Sequence, residues 1–362
     1  MVRRPLNVAV LGGDGIGPEV VAEGLRVLRT LDEAGRVRLS FKEFPWGTEW
    51  YLQHGEMMPP DALEQLRGFD AIYLGAVGSP KVPDHITLRQ LLLRIRFGFD
   101  QYVNLRPVRL LRGARSPLAR PAQLDLAFVR ENSEGEYAGM GDRLFAGTER
   151  EVALQTAVFS RKGVERIVRW AFEHARRTGR SRVTSVSKAN ALNYSAVLWD
   201  EIFEEVQAEY PEMEAETVLV DAAAMYLVTQ PERFQVVVAS NLFADILTEI
   251  GAALQGGLGM AASANLNPEG SFPSMFEPIH GSAPEIAGQG IANPVGAIWS
   301  ASLMLEHLGQ GEAAAAVLEA VQDVLEEGRL LTADLGGAAS TTEMGEAVAG
   351  RLEFGLRTLG VP

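Results

Sequence analysis

Short runs of apolar residues alternate along the chain with longer stretches whose apolar positions recur every three or four residues. That alternation is the pattern of an α/β sheet covered by helices. The apolar runs predict strands over Leu6–Leu11, Ala71–Leu74, Leu126–Val129, Val183–Val186, Val218–Val220 and Gln235–Ala239. The amphipathic stretches predict helices over Pro18–Leu31, Arg161–Arg177, Ala191–Tyr210, Val295–Leu308 and Gly311–Glu327. Tyr210-Pro211 stops the third of these. The Arg/Pro-rich piece Arg112–Pro121 is expected to be an exposed loop. Gly-rich Gln255–Met260 and the earlier Val103–Arg109 are the expected crossings between two domains. The first domain, 1–104 with 258–362, is then discontinuous around a central 105–257.

The last predicted strand leads directly into candidate chemistry. Val236-Val237-Val238-Ala239 runs into Ser240-Asn241-Leu242-Phe243-Ala244-Asp245-Ile246-Leu247-Thr248-Glu249. If the stretch after Asn241 is helical, Asp245 and Glu249 share one face and repel. Asp221, ending Val218-Leu219-Val220, is a third carboxylate at a strand end. In a chain without cysteine, a hard, oxygen-loving cation such as Mg2+ or Mn2+ suits these ligands. The ordinary alternative is a solvated acidic helix face.

Composition narrows the partners. At 362 residues the chain exceeds what most single cores sustain, which favours two domains. A net charge of -14 argues against nucleic acid and against anionic membrane surfaces. An anionic substrate must therefore be drawn by a local arginine cluster. The lack of cysteine removes disulfides, zinc–thiolate sites and thiol catalysis together. The basic start, Met1-Val2-Arg3-Arg4-Pro5, precedes too short an apolar stretch for a signal peptide, and no stretch is apolar enough to span a bilayer. The expectation is a soluble, cytoplasmic protein.

Gly12-Gly13-Asp14-Gly15-Ile16-Gly17-Pro18-Glu19 fails the Rossmann fingerprint, because no three glycines fall at G-x-G-x-x-G spacing, and no P-loop lysine follows. It remains a tight strand-to-helix turn, with Pro18 suited to the first helical turn, and either a structural turn or a ligand loop. Arg96, Arg106 and Arg130 each lie near a predicted element end. Their planar forks suit carboxylates and never deprotonate. As a trio they are candidates for a substrate with two carboxylates; each alone reads as a surface or salt-bridged residue. Lysine is scarce, so Lys188 just after a strand stands out as a group able to lose its proton and act as base or relay. Tyr137 is expected in a polar, Gly-containing loop, where a phenol can donate a proton. His280 lies in a loop whose Gly281 and Ser282 suit phosphates.

Together these segments resemble the β-decarboxylating dehydrogenases of 2-hydroxy acids: 3-isopropylmalate, isocitrate, homoisocitrate and tartrate/D-malate dehydrogenases. The resemblance runs from Gly13-Asp14-Gly15-Ile16-Gly17 to Asp334-Leu335-Gly336-Gly337. The tartrate/D-malate branch is favoured by Val82-Pro83-Asp84-His85-Ile86, Phe99–Arg109, Arg130–Tyr137, Ala191–Ser195 and Ser274–Pro278. It implies two α/β domains sharing a large mixed sheet, not a Rossmann fold. It also implies oxidative decarboxylation of a small hydroxy-dicarboxylate with NAD and Mg2+ or Mn2+, in a homodimer with shared active sites. A use of K+ and a tetramer of such dimers are left open.

The resemblance implies further that Arg96, Arg106 and Arg130 grip carboxylates, and that Lys188 of the partner subunit relays the hydroxyl proton. Tyr137 protonates C3 of the enolate left by CO2, and Asp245, Glu249 and Asp221 of the partner subunit hold the metal. His280, Gly281, Ser282, Ala283, Glu285 and Asn293 hold the adenosine half of the cofactor, and Asn190 joins the cofactor-binding residues. Three departures stand out. Glu249 replaces an aspartate, so its carboxylate either reaches further or binds the metal through water. Glu285 also replaces an aspartate; a carboxylate there accepts from ribose hydroxyls and repels a 2′-phosphate, favouring NAD over NADP. Arg89 stands where the relatives carry Trp or Glu, and with Leu92 and Leu93 it is expected to face the substituent on C3. A cation there favours a small hydroxyl or an extra carboxylate over an isopropyl group, which keeps isocitrate and homoisocitrate in view beside 3-isopropylmalate.

Overall fold

A computed structural model describes residues 4–119 and 124–358. The chain forms two compact units: Met1–Gln101 with Arg109–Ala119 and Ala252–Pro362, and Tyr102–Val108 with Arg120–Gly251. In the first unit five strands lie in the order Leu39–Glu43, Leu6–Gly13, Ala71–Ala76, Ser274–Pro278 and Ala262–Leu266. Pairing is parallel among the first four and antiparallel between the last two. The Gly17–Glu33 helix packs here because Val20, Gly24, Leu25, Val27, Leu28 and Leu31 form one buried stripe, with Pro18 pre-set in its first turn.

The second unit carries Val103–Arg109, Asp125–Glu131, Val236–Ala239, Arg182–Ser187 and Glu214–Leu219, in that order. Val236–Ala239 is parallel to both neighbours and fully buried, which is why its sequence is apolar without alternation. The Arg161–Arg177 helix starts where Ser160 Oγ accepts from Gly163 N at 3.0 Å and ends in a basic last turn. Both units are therefore α/β, with mixed sheet order and helical cover.

Several local expectations change. Val220 opens the Val220–Thr229 helix instead of ending a strand, because the Ala-rich stretch after it is a better helix than strand former. Asp221 thus sits in a first helical turn, where the helix dipole favours a carboxylate. Tyr137 lies on a strand, Gly135–Leu144, which pairs antiparallel with Val152–Val158 in a separate two-stranded sheet. The Ala191–Tyr210 helix is shorter, Ser195–Gln207, since Ala191–Tyr194 form a turn. The loop expected over 112–121 is turn and bend to Ala119, while Arg120 and Pro121 lie outside the described residues. No helix among the described residues is long and apolar enough to cross a membrane.

Candidate active site

Register aligns the functional side chains of the second unit. Ala239 pairs with Arg130 on one side and with Val186 on the other, so Arg130, Lys188 and the start of the Asn241–Leu254 helix all fall at the carboxyl ends of parallel strands. Ser187 pairs with Leu219, which brings Asp221 to the same edge. Parallel sheets bind ligands at that edge.

Asp245 is the hub. Its Oδ1 takes Arg130 Nη1 in a short contact and lies 3.2 Å from Arg106 Nη2; its Oδ2 accepts from the Tyr137 hydroxyl at 2.7 Å. Arg130 and Arg106 are almost fully buried while Asp245 is one-third exposed, so the cluster opens through the carboxylate. Asn241 Oδ1 accepts from Arg130 Nε at 3.0 Å and Nη2 at 2.7 Å. Asn104 Oδ1 and Thr248 Oγ1 hold Arg106 at 2.7 and 2.6 Å. The Arg130 guanidinium also lies 5.2 Å from the Tyr137 ring centre, a cation–π contact that fixes the phenol.

Glu249, one turn beyond Asp245, is exposed, yet burial of its carboxyl and the neighbouring Asp245 charge raise its pKa against the pull of Arg106 and Arg130. A cation would relieve that pressure, and two carboxylates fit a hard ion. Asp221 is occupied elsewhere: Lys188 Nζ donates to its Oδ1 at 2.6 Å, which holds the Asp221 carboxyl below its usual range. Lys188 is 26% and Asp221 66% exposed, so the pair is open to a ligand or another chain.

In the first unit, Arg96 is buried against Glu277, 2.8 Å from Nη2 to Oε1, and Asn265 shares that oxygen. Arg96 Nε is buried with no hydrogen-bond partner among the described residues. Arg89 is exposed in a single π-helical turn, Leu88–Leu92, a local feature frequent at functional sites. Leu92 packs against the core and Leu93 is buried.

The carboxyl ends of Leu6–Gly13, Ala71–Ala76 and Ser274–Pro278 frame a cleft of about 930 Å³. Its lining includes His280, Gly281, Ser282, Ala283, Glu285 and Asn293. His280 is buried, its pKa lowered by that burial; Nδ1 meets Gly281 O at 2.9 Å and Nε2 has no partner among the described residues. Asn293 Oδ1 accepts from Val295 N at 2.9 Å and its amide donates to Asp334, so the Asn293 side chain is held just ahead of the Val295–His307 helix. Asn190 belongs to the other unit, exposed in the turn after Lys188.

Sequence reasoning missed Asn104, Asn241 and Thr248, the residues that aim the arginines. Asn104 and Arg106 are two apart on one strand and therefore share a face, a signal that reading Val103–Arg109 as a strand would have exposed.

Sheet edge, arginine–carboxylate hub and glycine-lined cleft define an α/β enzyme whose ligands bind at strand carboxyl ends. The chain belongs to the isocitrate/isopropylmalate dehydrogenase family, whose sequence profile matches residues 7–348. It is 48% identical over 354 residues to a Bacillus subtilis (strain 168) protein named "Probable tartrate dehydrogenase/decarboxylase", covering 97% of this chain and 99% of that one. It is 52% identical over 354 residues to the 3-isopropylmalate dehydrogenase of Thermobifida fusca (strain YX), with the same coverage. The crystal structure of isocitrate dehydrogenase from Methylococcus capsulatus superposes with a TM-score of 0.89 at 36% identity, covering 96% of this chain and 99% of that one. The protein is thus a decarboxylating hydroxy-acid dehydrogenase acting on a small molecule, in a family that generally uses NAD(P) and a divalent metal.

Proposed function

We propose that the protein oxidatively decarboxylates D-malate or tartrate with NAD and Mg2+ or Mn2+. The observation that carries the reading is the Asp245 hub, where two buried arginines, a phenol and a carboxylate converge on one opening. Arg106 and Arg130 hold substrate carboxylates as fixed, permanently charged forks. Lys188 of the partner subunit, as the neutral amine, accepts the 2-hydroxyl proton; within one chain Lys188 Nζ donates to Asp221. Tyr137 delivers a proton to C3 once CO2 has left, and its hydrogen bond to Asp245 holds the phenol in line. When bound, the nicotinamide accepts the hydride and the divalent ion polarises the 2-oxygen as a Lewis acid.

Asp245 and Glu249 would hold the ion, with Asp221 of the partner subunit completing the set. Two features support a homodimer with shared sites. Lys188 and Asp221 pair with each other on an open face of one chain, and the Gly135–Leu144/Val152–Val158 hairpin exposes Met140, Leu144, Phe145, Val152 and Leu154. Cofactor choice follows Glu285, whose carboxylate repels a 2′-phosphate. The similarity to a 3-isopropylmalate dehydrogenase favours that substrate as a second reading, while the cation at Arg89 weighs against an isopropyl group.

One kinetic panel tests the whole reading: D-malate, meso- and L-tartrate, 3-isopropylmalate, isocitrate and homoisocitrate, each with NAD+ and NADP+. D-malate or tartrate with NAD+ is expected to give the highest kcat/KM. EDTA is expected to abolish turnover and Mn2+ to restore it. Preference for 3-isopropylmalate overturns the substrate, equal use of both cofactors overturns the role of Glu285, and full activity in chelator removes the metal.

A further inference from the structure

The glycine-rich opening, Gly12–Glu19, carries no part of the chemistry above, yet its contacts touch three walls of the 930 Å³ cleft. Asp14, buried, accepts from Gly78 N at 2.8 Å through Oδ2 and from Thr48 N at 2.6 Å through Oδ1, which fixes the Val77–Pro80 wall. Ile16 N donates to Ser282 O at 2.9 Å. Gly15, at φ +57°, sits so close that a Cβ would lie 1.9 Å from that same oxygen. No side chain fits there, so the opening turn and the Ser282 wall are packed backbone to backbone.

Glu19 makes the third connection. From the first turn of the Gly17–Glu33 helix its Oε1 accepts from Gly288 N at 2.5 Å and its Oε2 from Gly290 N at 3.1 Å. Both glycines have positive φ, so this part of the loop has wide conformational freedom unless something holds it. On its far side Thr341 fixes the same loop, donating from N to Gly290 O at 2.8 Å and from Oγ1 to Ala292 O at 2.7 Å. The loop so held carries Glu285, Ile286, Ile291, Ala292 and Asn293 into the cleft lining.

The geometry points to Glu19 as a positioning residue for the nicotinamide cofactor: it touches no ligand but clamps, through two backbone amides, the loop that binds it. The inference rests on reading the cleft as the cofactor site. A clamped loop is ordered before binding, so the cofactor does not have to order it; without the clamp that cost is charged against affinity. Breaking a bidentate, charge-assisted clamp is expected to weaken binding roughly tenfold, the order that one such hydrogen bond carries.

The test is fluorescence titration of the full-length protein with NADH, comparing wild type, Glu19→Ala, Glu19→Gln and Glu285→Ala, with thermal midpoints recorded for each. Glu19→Ala is expected to raise the NADH Kd and the KM for NAD+ by roughly tenfold. The KM for the hydroxy acid and kcat at saturating NAD+ should stay within about twofold, a split that loss of general stability does not produce. Glu19→Gln keeps an acceptor and loses the charge, so a rise of about threefold is expected, and it serves if the alanine variant does not fold. Unchanged NADH affinity in the folded Glu19 variants, with Glu285→Ala weakened, overturns the clamp and leaves the cleft as the cofactor site. Unchanged affinity in all three overturns both. Weakening in Glu19 alone keeps the clamp and removes Glu285 from the ribose.

Discussion

Two carboxylates, one in each unit, show how differently the units are built for ligands. Asp245 accepts from side chains, those of two arginines and a tyrosine, and is itself open to solvent. Glu19 accepts from backbone amides, those of Gly288 and Gly290. The second unit thus presents charges and a proton donor fixed by their neighbours, while the first presents a shaped backbone surface with few charged groups. Preorganised charge governs the chemical step, and preorganised shape governs affinity. Substitutions at the two carboxylates' surroundings should divide accordingly: large losses of kcat around the Asp245 hub, modest losses of cofactor binding around Glu19.

The sharpest way to break that contrast is Lys188→Ala. If Lys188 takes the hydroxyl proton, hydride transfer should fall by roughly 10³-fold or more with the cofactor Kd unchanged, read by single-turnover appearance of NADH. Retention of most activity would return Lys188 to a salt-bridge partner of Asp221. Tyr137→Phe should have the next largest effect and a narrower one. Overall oxidative decarboxylation is expected to slow by about 10²-fold, whereas reduction of a bound 2-keto acid should be nearly spared, because no proton is delivered to C3 in that direction. Equal losses in both assays would place Tyr137 in ground-state packing against Arg130.

What was legible in the sequence follows the same division. Asp245 and Glu249 could be placed on one helix face because a run of valines fixes the strand before them and periodicity fixes the helix after. Arg130 and Lys188 were legible as strand-end charges for the same reason. The strand carrying Tyr137 was not, because its hairpin buries no continuous face and Gly135, Gly139 and Gly141 interrupt any alternation. Asp221 was misplaced by one element, since Val218-Leu219-Val220 reads as strand while the tertiary fold starts a helix at Val220. The Glu19 clamp leaves no trace at all: its partners are backbone amides 269 and 271 positions away, and every residue type but proline has one.

The smallest expected effect concerns stability, and it uses a histidine on a helix that covers the second unit's sheet. His174 stacks on Trp170 with ring centres 4.9 Å apart, in the last turn of the Arg161–Arg177 helix. Burial first, then the charges of Arg180 and Arg177, lower its pKa from 6.5 to about 4. The neutral ring is therefore the folded form, while the unfolded chain takes up a proton as soon as the pH drops below 6.5. His174 contributes fully above that pH, and its contribution is lost as the pH falls from 6.5 towards about 4. The loss can reach about 3 kcal/mol if the whole difference is realised. Chemical denaturation of wild type and His174→Phe at pH 7.5 and pH 4.5 should show the wild type losing more stability than the variant. The midpoint difference between them should narrow or reverse at the acid end. Parallel losses in both proteins would mean that carboxylates elsewhere, and not this ring, set the acid limit of the second unit.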